Sequence, residues 1–304
     1  MSGAGSLDVV IVSYRCEGLL RDCLTSLSRH PASIPMRVRV VDNASGDGTA
    51  EMVAREFPEI DLSVNQENAG FSAANNGAIV AGTAPWVLAL NPDTRVTAGA
   101  LDYLLRAIDA RPEIGVCGPR LELEDGSLDH AARRSFPTPL SALGHFSGLG
   151  RRRGARGRLA AYRAPEVTRG RVDAVNGACM LIRRSALEQV GLFDEGFWMY
   201  MEDLDLCYRL RLAGWLCWYE PAARVIHEKA GSSGPIRGPR LNYAFHYGMY
   251  RFYRKHYARD RFALTNVAVY LGIAAKLTLS LVRGAIRAAA SRLRPGGMTR
   301  APDG

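Results

Sequence analysis

Over its first 120 residues the chain repeats one unit, and that rhythm restricts the fold more than any single motif. A short apolar run ends in polar or Gly-rich residues, and a helical period follows. Leu7–Ser13, Val38–Val41, Ile60–Val64, Trp86–Leu90 and Ile114–Gly118 read as strands. Between them Glu17–Arg29, Thr49–Phe57, Ser72–Ala81 and Ala98–Ala110 read as helices, the first with Leu19, Leu20, Cys23, Leu24 and Leu27 on one face. Strands that are apolar throughout, alternating with amphipathic helices, predict an α/β fold whose mostly parallel sheet is covered on both faces. At 304 residues, 47% hydrophobic and 23% charged, the chain can bury such a core and still carry an appendage.

Ligands of these sheets bind beyond the carboxyl ends of the strands. Here those positions are polar. Ser13, Tyr14 and Arg15 follow the first strand, with Glu17 close by. Asp42 and Asn43 follow the second, leading through Ser45, Asp47 and Thr49. Asn68, Gly70 and Asn75 lie after the third, and Asn91-Pro92-Asp93 after the fourth. No GxGxxG follows the first strand, and neither GxxxxGK[ST] nor GxSxG is present, which disfavours dinucleotide, P-loop and serine-hydrolase chemistry. Asp93 is placed like a ligand for a hard divalent cation, or else caps a helix starting near Thr94 or Thr97. Asp42-Asn43 reads as a binding pair or as a turn with an N-cap.

The second half is less regular. Residues 127–172, with Arg133-Arg134 and an Arg-rich stretch over 151–158, read as a long loop. Val172–Ile182 is strand-like, and Glu202–Ala213 is helical. That helix opens on Glu202, Asp203 and Asp205, straight after Phe197-Trp198-Met199-Tyr200. Acidic residues favour a helix N-terminus in any protein. A carboxylate beside a bulky apolar wall also suits a general base. Trp215–Tyr219 and Ala223–His227 read as strands, the last ending on a His that is a metal ligand or an ordinary core residue. Leu241–Tyr257 is an aromatic, basic helix. Phe262–Ala290 is a long apolar one, whose choices are to span a membrane, lie in its interface or dock on the core. The six cysteines are scattered and read as buried free thiols, and no signal peptide is expected.

Lys+Arg number 39 against 30 Asp+Glu, a net charge of +9, and only three of the basic residues are Lys. That excess favours phosphate-rich partners. Nucleic acid is not expected, because no helix-turn-helix, RNP-type aromatic motif or zinc module appears.

Taken in order, these segments resemble the inverting family-two glycosyltransferases of the GT-A fold, especially their bacterial rhamnosyltransferase-like branch. The motifs are Val10-Ile11-Val12-Ser13-Tyr14, Val40-Val41-Asp42-Asn43-Ala44-Ser45, Asn68-Ala69-Gly70-Phe71, Leu90-Asn91-Pro92-Asp93, Asn176-Gly177-Ala178-Cys179, Gly191-Leu192-Phe193-Asp194-Glu195, Tyr200 through Arg209, and Val225-Ile226-His227. The resemblance implies a catalytic domain over 1–230, with a nucleotide-sugar half to 120 and an acceptor half beyond, and a membrane-associating tail over 231–304. It implies that Ser13, Tyr14, Glu17, Asp42, Asn43, Asn68, Gly70, Asn75 and Asn91 serve a nucleotide-diphospho-sugar. Asn176, Gly177 and Trp198 would line the acceptor and sugar pocket. Asp203 would be the base, with Glu202 and Asp205 orienting it or the acceptor. Asp93 and His227 would hold Mg²⁺ or Mn²⁺; the family's Asp-X-Asp motif here reads Asn91-Pro92-Asp93. The implied donor is dTDP-L-rhamnose, with UDP-galactofuranose, UDP-glucose or GDP-mannose as alternatives. The implied acceptor is a polyprenyl-diphosphate-linked or other cell-envelope glycan at the cytoplasmic face of the plasma membrane, with attachment peripheral to an anionic surface. A catalytically inactive glycan-binding relative is the other reading.

Overall fold

β1 (Leu7–Ser13) is the apolar axis of the sheet, with Val9, Val10 and Ile11 wholly buried. Side chains excluded from water on both sides of a strand need neighbours in its plane and helices on both faces. β2 (Met36–Asp42) and β4 (Trp86–Leu90) supply the plane, each parallel to β1, and β3 (Asp61–Val64) extends it beyond β2. α1 (Glu17–Arg29), α2 (Thr49–Glu56) and α3 (Phe71–Val80) make the intervening connections. The structure, a computed structural model, describes residues 5–136, 168–228 and 238–292. The chain divides into two compact units at the Ile236/Arg237 boundary.

Beyond β4 the sheet becomes mixed. β5 (Thr94–Val96) precedes α4 (Ala100–Asp109) and β6 (Ile114–Glu122). After it come β7 (Arg133–Arg134), β8 (Gly170–Val172), β9 (Ala174–Val175), β10 (Cys179–Arg183), α5 (Arg184–Val190), α6 (Glu202–Leu212) and β11 (Leu216–His227). β10 lies antiparallel between β4 and β6, and β11 lies parallel to β6. β5 and β8 are antiparallel to β11. Among the described residues the main sheet runs β3-β2-β1-β4-β10-β6-β11-β5, mixed but mostly parallel, while β7 and β9 pair separately.

These reversals gather distant residues at one edge. β10 starts where β4 ends, so Asn176-Gly177-Ala178 meet Asn91, whose N–H donates to the Ala178 carbonyl at 2.9 Å. β5 turns back along β11 with Thr94 opposite His227, and the Glu228 N–H donates to the Asp93 carbonyl at 2.9 Å.

Several expectations are corrected in detail. Asp93 leads into a strand, so it caps no helix; α4 starts at Ala100 behind Gly99 in the left-handed region. The expected loop over 127–172 contains a 3₁₀ turn at His130–Ala132 and the strands β7 and β8, whereas the Arg-rich 151–158 lies outside the described residues. The strand-like run Val172–Ile182 is three strands, broken where the Asn176-Gly177-Ala178 turn is needed. The two expected strands after Gly214 are one, β11, with an irregularity between Glu220 and Arg224 where Pro221 has no N–H to offer the ladder. All six cysteines are free and buried.

At the amino-terminal end of β1, Asp8 is buried against Arg39 at 2.6 Å and Arg184 at 2.9 Å, and accepts from the Ala84 N–H at 2.9 Å. A Cβ on Gly82 would lie 2.2 Å from the Asp8 carboxylate, so that position has no room for a side chain. In the second unit, α7 (Pro239–His256) pairs with α8 (Ala263–Arg292). Asn242 and Ser280 exchange hydrogen bonds at 2.9 and 3.2 Å, and the Tyr253 hydroxyl donates to Asn266 at 2.7 Å. Within α8, Ala263–Ile286 is long and apolar enough to cross a membrane, and only 6% of its most apolar window is buried within the chain.

Candidate active site

His227, the last residue of β11, lies between two carboxylates. Its Nδ1 is 3.2 Å from Asp129 and its Nε2 is 3.6 Å from Asp93. Burial works against a charged imidazole here, but hydrogen bonds to Asp129 and Asp93 and their charges outweigh it and push the pKa up to about 9. Asp129 is 1% exposed, caps the 3₁₀ turn by accepting from the Ala131 N–H at 3.0 Å, and aims the ring. A carboxylate on the far nitrogen is the usual way to orient a metal-ligating His. Sequence reading passed over Asp129. Among the described residues no group of three His, Cys, Asp or Glu side chains is arranged to hold a metal.

α6 carries the acidic cluster, and its three carboxyls have separate surroundings. Asp203 is buried; its Oδ2 accepts from the Gly177 N–H at 2.8 Å and from Arg134, and its Oδ1 accepts from the Leu204 N–H at 2.7 Å. Glu202 is buried beside it. Burial, then the charge of Asp203, push its carboxyl up to about 8. Asp205 is fully buried and ion-paired to Arg209 at 2.8 Å, and Arg209 also donates to the carbonyls of Val190, Gly191 and Leu192. Asp205 therefore braces the connection between α5 and α6 through Arg209. The chain enters α6 through Tyr200 (φ 71°) and Met201 (φ 74°), an unfavourable conformation for non-Gly residues. Among the described residues the other positive-φ non-Gly positions are Arg15 and Ala44, just after β1 and β2. Such strain concentrates at functional sites.

At the ends of β2 and β3 Asn43 is the hub. Its Nδ2 donates to Asn68 at 3.1 Å and to the Gly70 carbonyl at 3.2 Å, and its Oδ1 accepts from Asn65 at 2.9 Å and the Ala69 N–H at 3.1 Å. All four hydrogen-bonding positions of the amide are filled. Asn43 thus shapes the loops that follow β2 and β3, with its side-chain amide fully engaged by Asn65, Asn68, Ala69 and Gly70. Asn75 donates back to the Phe71 carbonyl within α3. Asp42 and Ser13 are buried at their strand ends, with Asp42 accepting from the Ser45 N–H at 3.1 Å. Tyr14 lies under the Arg15 guanidinium, and Glu17 pairs with Arg21 at 2.6 Å.

The two halves are stitched together at the start of α3. Gly70 (φ 86°) packs so tightly on Trp198 that a Cβ would lie 2.4 Å from its ring and its carbonyl. The Phe71 N–H donates to the Trp198 carbonyl at 2.8 Å, and Ser72 donates to that of Phe197 at 2.7 Å. Asn76, which sequence reading did not single out, binds Phe193 through both its donor and its acceptor atoms. The Asn176 amide donates to the Ala131 carbonyl at 3.2 Å and its oxygen accepts from the Ala178 N–H at 2.8 Å, shaping the turn that presents Gly177 to Asp203.

A family model described as glycosyltransferase-like family 2 matches residues 4–237. The N-acetylglucosaminyl-diphospho-decaprenol L-rhamnosyltransferase of Mycobacterium tuberculosis is 37% identical over 254 residues, covering 79% of this chain and 81% of that one. Among solved structures, the mannosyltransferase PcManGT of Pyrobaculum calidifontis, in complex with GDP-Man and Mn²⁺, aligns with a TM-score of 0.56 at 17% identity, over 96% of this chain and 81% of that one. GalNAc-T7 with UDP, GalNAc and Mn²⁺ also aligns at 0.56, with 18% identity, over 75% of this chain and 44% of that longer one. At such identities the structural likeness establishes the fold alone, and that fold is GT-A. With the match spanning the whole sheet and the edge just described, the chain belongs to glycosyltransferase family 2 and is a glycosyltransferase.

Proposed function

We propose that this enzyme transfers L-rhamnose from dTDP-L-rhamnose, with inversion, to a sugar carried on a polyprenyl diphosphate. The proposed location is the cytoplasmic face of the bacterial plasma membrane, held peripherally through α7 and α8. The observation that carries the donor and acceptor is the likeness to the mycobacterial rhamnosyltransferase, which runs over 81% of that protein's length.

The chemistry follows from the residues. A sugar hydroxyl is far too weak an acid to ionise near neutral pH, so a carboxylate must take its proton as the new bond forms. Asp203 takes that role: it is held at the edge of the sheet by fixed donors. The acceptor oxygen attacks the anomeric carbon, its proton passes to Asp203, the bond to the diphosphate breaks, and the nucleoside diphosphate departs. A single displacement inverts the anomeric centre. Burial and the adjacent Asp203 favour the neutral form of Glu202, whereas Asp203, held by the Arg134 and Gly177 donors, is the carboxylate placed to take the proton. Asn43, Gly70 and Asn76 keep the nucleotide loops and the 193–201 connection in register.

The donor set fits a divalent cation. Asp93 and His227 present a carboxylate and an oriented imidazole 3.6 Å apart, close to the ~3 Å between neighbouring donors in an octahedral shell. Diphosphate oxygens and water would complete the shell, and the imidazole favours Mn²⁺ over Mg²⁺. Such a cation would offset the charge that develops on the leaving diphosphate.

The test is release of nucleoside diphosphate by the purified full-length protein over a donor panel with Mn²⁺ or Mg²⁺. Turnover is expected to be fastest with dTDP-L-rhamnose. Faster turnover of UDP-galactofuranose, UDP-glucose or GDP-mannose would remove the rhamnose assignment. Asp203→Asn is expected to lower kcat about 100-fold or more with little change in the KM for donor.

A further inference from the structure

We infer that Arg134 is a positioning residue for the proposed base: its guanidinium clamps the Asp203 carboxylate against the Gly177 backbone and supplies the counter-charge for two adjacent buried carboxyls, Asp203 and Glu202. The inference rests on Asp203 being the base. It assigns a function to a residue that belongs, in sequence, to a basic run beside a long irregular stretch.

The geometry is a clamp with two jaws. From one side Arg134 Nη2 donates to Asp203 Oδ2 and to the Val175 carbonyl, the latter at 3.2 Å. From the other, the Gly177 N–H donates to the same carboxylate oxygen at 2.8 Å. A Cβ on Gly177 would lie 3.3 Å from that oxygen, so the glycine lets the carboxylate sit on the backbone. Arg134 is itself fixed, because β7 pairs with β9, Arg133 facing Val175 and Arg134 facing Ala174. The Arg134 and Asp203 side chains are 16% and 7% exposed, so water screens the pair weakly.

The same cation serves Glu202. The charges acting on Glu202 are Asp203 and Asp205, which discourage its ionisation, and Arg134, which favours it. Asp205 is tied to Arg209, so among the described residues Arg134 from β7 is the cation that faces the pair. β9 and the turn before β10 approach with backbone, the Gly177 N–H among it. Without Arg134, two carboxyls on one helical turn would share a buried site with no counter-charge from the other described residues, and the charged, proton-accepting form of the pair would be less favoured. With both carboxyls protonated, neither can take the proton of the acceptor hydroxyl.

The experiment is the pH profile of kcat for the full-length protein and for Arg134→Gln and Arg134→Lys, with Asp203→Asn alongside and thermal melts to confirm folding. Arg134→Gln is expected to lower kcat at pH 7 about ten-fold or more, to leave both KM values within about two-fold, and to move the acid limb up by about one unit or more. Arg134→Lys is expected to keep the limb in place and recover part of kcat; if the Gln variant fails to fold, its profile decides alone. An unmoved limb in Arg134→Gln overturns the inference while Asp203→Asn stays inactive. So does a raised KM with unchanged kcat in either variant, which would make Arg134 a substrate clamp. Full activity in Asp203→Asn overturns the base assignment, and the inference with it.

Discussion

Glu202 and Asp203 are neighbours on one helical turn, yet their partners differ. Asp203 has a guanidinium and two N–H donors, whereas burial and an adjacent carboxylate push Glu202 up to about 8. A folded-state pKa above the unfolded value, about 4.3 for Glu, means that the folded chain keeps a proton the unfolded chain has lost. Stability from this residue is therefore full below about pH 4 and falls as pH rises toward 8. Glu202→Gln keeps the shape without the titration. Its melting temperature relative to the parent is expected to rise from pH 5 to pH 8 and then level off, and a flat difference would show that Glu202 titrates normally. The acidic cluster was legible in the sequence because three carboxyls directly after Phe197-Trp198-Met199-Tyr200 are unusual. Their division of labour was not, since it depends on contacts made far along the chain. Arg134 reaches Asp203 across 69 residues and Asp129 reaches His227 across 98, and no local pattern marks either.

At the scale of elements, strands buried on both faces were the readable part: β1 and β4 have the bounds that their apolar runs predict. β5 was hidden because three residues between Pro92 and a helix carry no period of their own, and its pairing with β11 is a tertiary fact. The connection at 193–201 was equally opaque, since its shape comes from docking on α3. That docking yields a prediction. Gly70→Ala must push Trp198 away and also place Ala in a left-handed conformation, so a loss of about 2 kcal/mol or more in stability is expected. Activity should fall further than stability explains, because the same loop leads into Glu202 and Asp203. The amino-terminal end of β1 makes a contrasting case. Burial opposes a charged Asp8, but Arg39 and Arg184 outweigh it and hold the carboxyl below its ordinary value. Its contribution is complete above about pH 4 and is lost as pH falls through the depressed pKa. Asp8→Ala removes the carboxylate shared by buried Arg39 and half-buried Arg184, leaving Arg39 only the longer 3.6 Å contact to Asp61, and is expected to cost about 3 kcal/mol by denaturant titration, with kcat per folded molecule unchanged. Loss of kcat in the folded fraction would mean that this end of β1 communicates with the site.

For the whole molecule, the net charge of +9 hides an uneven division. Residues 237–304 hold 13 of the 39 Lys and Arg but two of the 30 Asp and Glu, so they carry +11 and leave residues 1–236 slightly acidic. The basic excess therefore belongs to the unit built from α7 and α8 rather than to the catalytic one. That unit also exposes its apolar side chains: Phe262 and Leu264 are more than 80% accessible, and Leu271 and Ile286 more than 60%. Leu264, Val267, Leu271, Val282 and Ile286 recur at helical spacing and leave an apolar stripe on α8 that the described residues of its own unit do not cover. The hydrogen bonds that join Asn242 to Ser280 and Tyr253 to Asn266 attach α8 to a helix carrying Arg251, Arg254 and Lys255. A spanning α8 would have to break that pairing or drag those charges into hydrocarbon, whereas an α8 lying in the interface keeps both its stripe and its partner satisfied. The protein is therefore expected to bind vesicles containing anionic lipid and to be released as ionic strength rises, since ~1 kcal/mol per basic residue near such a surface is screened by salt. Leu264→Asp together with Leu271→Asp should weaken vesicle binding about ten-fold or more while leaving turnover of a water-soluble acceptor intact. Partitioning that survives high salt and resists alkaline extraction would point to a span. Partitioning unchanged by deleting residues 262–304 would place the membrane contact elsewhere in the chain.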